Sequence, residues 1–171
     1  MSDQLPILYQ NRYCDQEDFS IAVFGGDNDC NNLSYDKPFL LNNFDTKVYL
    51  PSLSKQQYKC KVIASCSDIY LLYDCSIPPS VKLYSPSTSW KCLPPLIETK
   101  VNYSVCSFMQ KLFVIGGRDT YNKYDRKDTC MFYEKQSDSW TTIEAMMECR
   151  ENSACTVFEG KIVVSFLSYL L

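Results

Sequence analysis

An all-β fold of repeated antiparallel sheets is what this 171-residue sequence predicts, and three recurrences carry the prediction. An apolar run closes on a glycine pair in SIAVFGG, at Gly25 and Gly26, and again in KLFVIGG, at Gly116 and Gly117. A tyrosine precedes a tryptophan by six or seven residues twice, as Tyr84 with Trp90 and as Tyr133 with Trp140. The two tryptophans are 50 residues apart, a period at which one supersecondary unit is duplicated and stacked.

The elements follow in order along the chain. Residues 1–18 form a lead-in of acids and amides, without the basic start and apolar run of a secretion signal. Half a unit comes next, with SIAVFGG as one strand and FLLNNFDTKVYLPSL as a hairpin whose outer strand lacks the tryptophan. KCKVIASC and DIYLLYD then open a whole unit, in which Tyr73 and Asp74 replace the glycines and VKLYSPSTSWKCL is the hairpin. The best copy covers 103–142: YSVCSFM and KLFVIGG are two strands, RDTYNKYDRKD is a loop, and TCMFYEKQSDSWTTI is the outer hairpin. A last half unit, SACTVFEGKIVVSF, runs into Phe166 and Leu167 where glycines are due. The repeats therefore span 19–165, as units near 19–57, 58–97 and 98–147 with a partial one at 148–165, and 166–171 is an apolar tail that departs from them.

Each residue type has a physical task. Paired glycines let the backbone take positive φ and approach its neighbour without a Cβ clash. Tyrosine and tryptophan bury large areas between sheets and keep a polar tip for a hydrogen bond. A four-stranded sheet this small cannot bury both faces alone, so copies stack, and radial stacking gives a propeller. A β-sandwich with chance glycines is the competing architecture, but it gives no reason for a tryptophan to recur after 50 residues beside a tyrosine.

Paired glycines, then tyrosine, then tryptophan, with the turns YSPSTSW and YEKQSDSW, resemble the kelch repeat. The resemblance covers roughly 19–165 and is clearest in the unit holding Gly116, Gly117, Tyr133 and Trp140. It implies a partial kelch-type propeller of three to four antiparallel blades, because a six-bladed ring at ~50 residues per repeat needs about 300 residues. The ring is not closed by this chain alone, and its open blade edges imply self-association. The chain is expected to be a truncated product of a longer gene, with a real short form as the alternative. The resemblance further implies protein binding, as the substrate-recognition part of a BTB-kelch-like adaptor for a cullin RING ubiquitin ligase. Recruitment of the ligase would pass through a BTB region absent from these residues. An actin-binding cytoskeletal scaffold is the alternative partner reading.

Composition narrows the chemistry. The net charge is −3, and no block of Lys or Arg offers the basic face that nucleic acid demands. The apolar stretch from Lys161 is about half of the ~20 residues a membrane helix needs, so no membrane is expected and the cytoplasm is. The sequon-like triplets at Asn32 and Asn102 are then chance matches. Ten cysteines are spread without a CxxC pair and read as buried free thiols, with Cys149 beside Arg150 as the exception worth testing. The chain has no histidine, which removes the usual general base and the commonest transition-metal ligand. No enzyme activity, metal or cofactor is expected; a propeller enzyme is the remote alternative.

In a propeller the loop after a unit's second strand and the link to the next unit gather on one rim. Residues 118–128 and 144–152 are such a pair, which gathers Arg118, Tyr121, Asn122, Lys123, Tyr124, Arg126 and Arg150 into one candidate binding rim. Tyrosine and arginine are enriched at interface hot spots. Arg118 and Arg150 stand where the resemblance implies substrate-capturing arginines. The self-neutralising charges of the loop, Asp119, Asp125 and Asp128 among Arg118, Lys123, Arg126 and Lys127, equally suit a merely solvated loop.

Overall fold

The computed structural model describes residues 20–23, 38–42, 46–53, 60–73 and 80–165. The lead-in 1–18, Gly25, Gly26, Asp74 and the tail 166–171 lie outside them. Every regular element among the described residues is a strand. β1 (Ser20–Val23), β2 (Phe39–Asn42) and β3 (Thr46–Tyr49) form a three-stranded sheet in that order. β4 (Cys60–Ser65), β5 (Asp68–Tyr73), β6 (Val81–Ser85) and β7 (Ser89–Leu93) form a four-stranded meander.

A second meander follows after the short β8 (Lys100–Val101). It comprises β9 (Ser104–Phe108), β10 (Lys111–Ile115), β12 (Cys130–Glu134) and β13 (Ser139–Ile143). Between its second and third strands, β11 (Arg118–Asp119) pairs back with β8. β14 (Ala154–Phe158) and β15 (Lys161–Ser165) close the described chain as a hairpin. β4 lies beside β9 and β9 beside β14, so the first strands of successive units gather on one side. This is a partial propeller, two whole blades flanked by incomplete ones among the described residues.

The side-chain pattern follows from each blade having two neighbours. β5 is buried along its whole length, because alternate residues serve opposite faces. Tyr70 and Leu72 enter the core shared with the next blade, whereas Leu71 and Tyr73 pack with Leu53 on the preceding side. β10 divides in the same way: Leu112 and Val114 face back, and Phe113 and Ile115 face forward. Burying a Leu or Val side chain is worth about 1.5–3 kcal/mol. The ion pair Lys91–Asp138, which also crosses from one blade to the next at 2.8 Å, has both side chains about half exposed and is screened by solvent. Apolar burial therefore holds the blades together.

The aromatic pair has one geometry in both blades. Tyr84 stands opposite Trp90 with ring centroids 5.2 Å apart, and Tyr133 opposite Trp140 at 5.4 Å. Each indole N–H then reaches back one unit. Trp90 donates to the Pro51 carbonyl at 2.8 Å and Trp140 to the Pro94 carbonyl at 2.9 Å. Both acceptors belong to an L-P-x-L segment, 50–53 and 93–96, whose last leucine is buried in the interblade core. Tryptophan is needed there because it alone combines that ring area with a donor at its far edge.

Candidate functional site

The glycine pair ends β10 and sets the rim. Gly116 and Gly117 have φ of 62° and 104°. The Gly117 N–H donates to the Arg150 carbonyl at 2.7 Å, and its own carbonyl accepts from Lys127 N–H at 2.8 Å. A Cβ on Gly117 would stand 2.7 Å from the Val101 carbonyl oxygen. The absence of a side chain thus lets three segments meet: the link carrying β8, the loop after β10, and the link after β13. Further backbone bonds from Arg150 to Lys127 (3.1 Å), Met146 to Asp128 (3.0 Å) and Asn152 to Asn102 (2.8 Å) stitch them together.

Residues 118–128 are shaped by their own polar groups. The Asp119 carboxylate accepts from the N–H groups of Tyr121 (2.7 Å) and Asn122 (2.8 Å). Those N–H groups, that of Asn122 foremost, hold its pKa below the usual carboxylate range. Asn122 Oδ1 accepts from Tyr124 N–H at 3.1 Å. The Lys127 ammonium sits 2.8 Å from Asp125 Oδ2, and that bond raises its pKa. With the backbone so fixed, Tyr121 and Tyr124 project 75% and 82% exposed, and Lys123 lies over the Tyr124 ring at 5.1 Å.

The arginines are engaged locally. Glu151, whose side chain is only 16% exposed, takes Arg118 Nε at 3.3 Å on one oxygen and Arg126 Nε at 3.1 Å on the other. Asn102 Nδ2 also donates to it at 3.2 Å. Arg150 pairs with Glu148 at 2.9 Å. Arg118 and Arg126 thus meet on Glu151, whereas Arg150 pairs with Glu148, and sequence reasoning had singled out neither carboxylate. Arg118 and Arg150 are about a quarter exposed, whereas Arg126 is 58% exposed.

Under the rim lies Lys100, fully buried. Its ammonium donates to the Thr129 carbonyl and hydroxyl, both at 3.2 Å, and Thr129 in turn donates to Glu98 at 2.7 Å. Burial lowers the Lys100 pKa, and Glu98 opposes that shift. This group ties the link before β9 to the start of β12. One signal for it was present in the sequence: Asn102 and Asn152 are 50 residues apart, like the tryptophans, and both take positive φ, 57° and 52°. Asparagine tolerates that conformation better than most residues. Among the described residues no group of three or more His, Cys, Asp or Glu side chains is placed to hold a metal ion.

Repeated blades, a tyrosine opposite a tryptophan in both whole ones, and a paired-glycine turn under the rim define the comparison with known proteins. Mouse Kelch-like protein 28 is 31% identical over 91 residues, 48% of this chain and 16% of that protein. Its human counterpart is 30% identical over 91 residues. Kelch repeat and BTB domain-containing protein 2 of Ectromelia virus (strain Moscow) is 30% identical over 123 residues, 69% of this chain and 21% of that protein. The chain is similar to kelch-repeat proteins. Its blades are kelch-type blades, and the matches span about a fifth or less of the length of these relatives. No family model matches the chain.

Proposed function

We propose that these kelch blades bind a protein through the rim formed by 118–128 and 144–152, as the substrate-recognition part of a BTB-kelch-like adaptor for a cullin RING ubiquitin ligase. The observation that carries the reading is the pair Tyr121 and Tyr124, held mostly exposed on a loop whose backbone is fixed by Asp119 and Asn122 and whose arginines Arg118 and Arg126 are held by Glu151. Pre-ordered aromatic side chains contribute contact area at little entropic cost. Arg126, with more than half its side chain exposed, adds charge at the edge of the same surface, and Arg118 and Arg150 hold the rim in shape. The similarity to a protein whose name joins kelch repeats to a BTB domain supports the adaptor role. The proposed compartment is the cytoplasm, where thiols stay reduced.

The test compares proteins captured by the 171-residue chain and by its Tyr121→Ala/Tyr124→Ala variant. Selective loss of one captured protein, with the far-ultraviolet spectrum unchanged, is the expected outcome. Expressing the chain should then lengthen that protein's half-life, because substrate held by these blades is withheld from the ligase. An unchanged capture pattern refutes the rim, and an unchanged half-life refutes the ligase role.

A further inference from the structure

The boundary between the β9–β13 blade and the β14–β15 hairpin differs chemically from the boundary before it. At the earlier boundary the inner strands β4 and β9 contribute the aliphatic Ile63 and Val105 to a mixed aromatic and aliphatic core. At the later one the inner strands β9 and β14 contribute Cys106 and Cys155, packed together with Phe113, Met146, Ile162 and Val164. The register is fixed two residues upstream, where the Ser104 and Ser153 hydroxyls stand 2.7 Å apart and Ser104 also donates to the Ser153 carbonyl. Cys155 packs against the cluster that holds Cys106. Cys106 is buried and Cys155 is half-buried, at the rim of the apolar cluster.

We propose that Cys106 and Cys155 form a peroxide-oxidisable dithiol whose disulfide staples the β9–β13 blade to the hairpin that follows it. The two roles differ. Cys155 is the more exposed of the two, whereas Cys106 is buried. Cys155 is therefore the thiol that meets peroxide first and Cys106 the resolving thiol. The Cys155 sulfur attacks one peroxide oxygen, the O–O bond breaks, and the departing hydroxide takes up a proton and leaves as water. Cys155 is then a sulfenic acid. The Cys106 sulfur attacks the Cys155 sulfur, the S–O bond breaks as the S–S bond forms, and a second water leaves with the thiol proton. Two thiols thus give two electrons to one peroxide. Because the partners are neighbours in the folded chain, this reaction should outrun pairing among the exposed Cys66, Cys92 and Cys149.

The test treats the reduced, folded chain with hydrogen peroxide, blocks remaining thiols by alkylation, and maps peptides without reduction. A linked peptide joining the segments around Cys106 and Cys155 is the expected product, with both thiols lost together and recovered by dithiothreitol. The same treatment in strong urea should lower its yield at least tenfold relative to other pairings. Cys106→Ser should instead leave Cys155 trapped as a sulfenic acid by a dimedone probe. The proposal is overturned if Cys155 oxidises while Cys106 stays alkylatable in the unaltered chain, or if the linked pair forms equally well in urea.

Discussion

Glycine-to-alanine substitutions at Gly117 and Gly160 separate backbone strain from close approach. Both residues have positive φ, 104° and 70°. A Cβ on Gly160 meets nothing within 4 Å, so Gly160→Ala carries only the left-handed penalty, about 1 kcal/mol. A Cβ on Gly117 stands 2.7 Å from the Val101 carbonyl oxygen and 3.1 Å from Tyr103 Cβ, neither of which can swing aside. Its φ also lies outside the region alanine can adopt cheaply, which costs about 1–3 kcal/mol. Forcing the backbone apart adds about 1–3 kcal/mol. Gly117→Ala should therefore cost about 2–6 kcal/mol. At a slope of about 2 kcal/mol/M, its urea midpoint should fall by roughly 1 M or more, against about 0.5 M for Gly160→Ala. The Arg150 carbonyl bond to Gly117 N–H should loosen with it, so the rim should lose its partner in urea concentrations where the strands persist. Equal midpoint shifts for the two variants would refute the reasoning, since strain alone would then set both.

Met109 and Gln110 form the two-residue turn between β9 and β10, both exposed and both at positive φ, 49° and 59°. Met109→Asn/Gln110→Gly should stabilise the chain by about 1–2 kcal/mol, read as a higher urea midpoint, because Asn-Gly suits that turn. Trp140→Ala, which removes both core area and the bond to Pro94, should cost about 3 kcal/mol in the same assay. The carboxyl of Asp138 is held below its ordinary range by Lys91 and then Tyr133, and that of Glu134 by Lys111. Their contribution is thus fully present above about pH 4.5 and lost as pH falls through the lowered folded values. Asp138→Asn should flatten the acid limb of a stability–pH curve below about pH 4.5, and an unchanged limb would refute the assignment.

The sequence made legible what is local or repeated. Alternation in DIYLLY and KLFVI shows apolar residues on both faces, which only a sheet with two neighbours requires. The half units at either end were readable because a strand-hairpin without its partner strand leaves a gap in the period. What stayed hidden depends on chain segments brought together across a unit. Arg118 and Asp119 read as loop, yet they pair with Lys100 and Val101 because Gly117 admits the link so closely. Arg118 read as a residue free for a partner, whereas Glu151, 33 residues on, holds it.

The L-P-x-L segments show how a signal can be present and still go unread. Pro51 and Pro94 are 43 residues apart, while the tryptophans that bond to their carbonyls are 50 apart, so no single period aligns all four. The difference arises because each tryptophan contacts the unit before its own, and the longer loop at 118–128 lengthens only one of the two steps. In the third unit Met146 packs into the interblade core as Leu53 and Leu96 do, and Glu144 stands in the position of the two prolines. A tryptophan donating to the Glu144 carbonyl would require a further hairpin beyond β15.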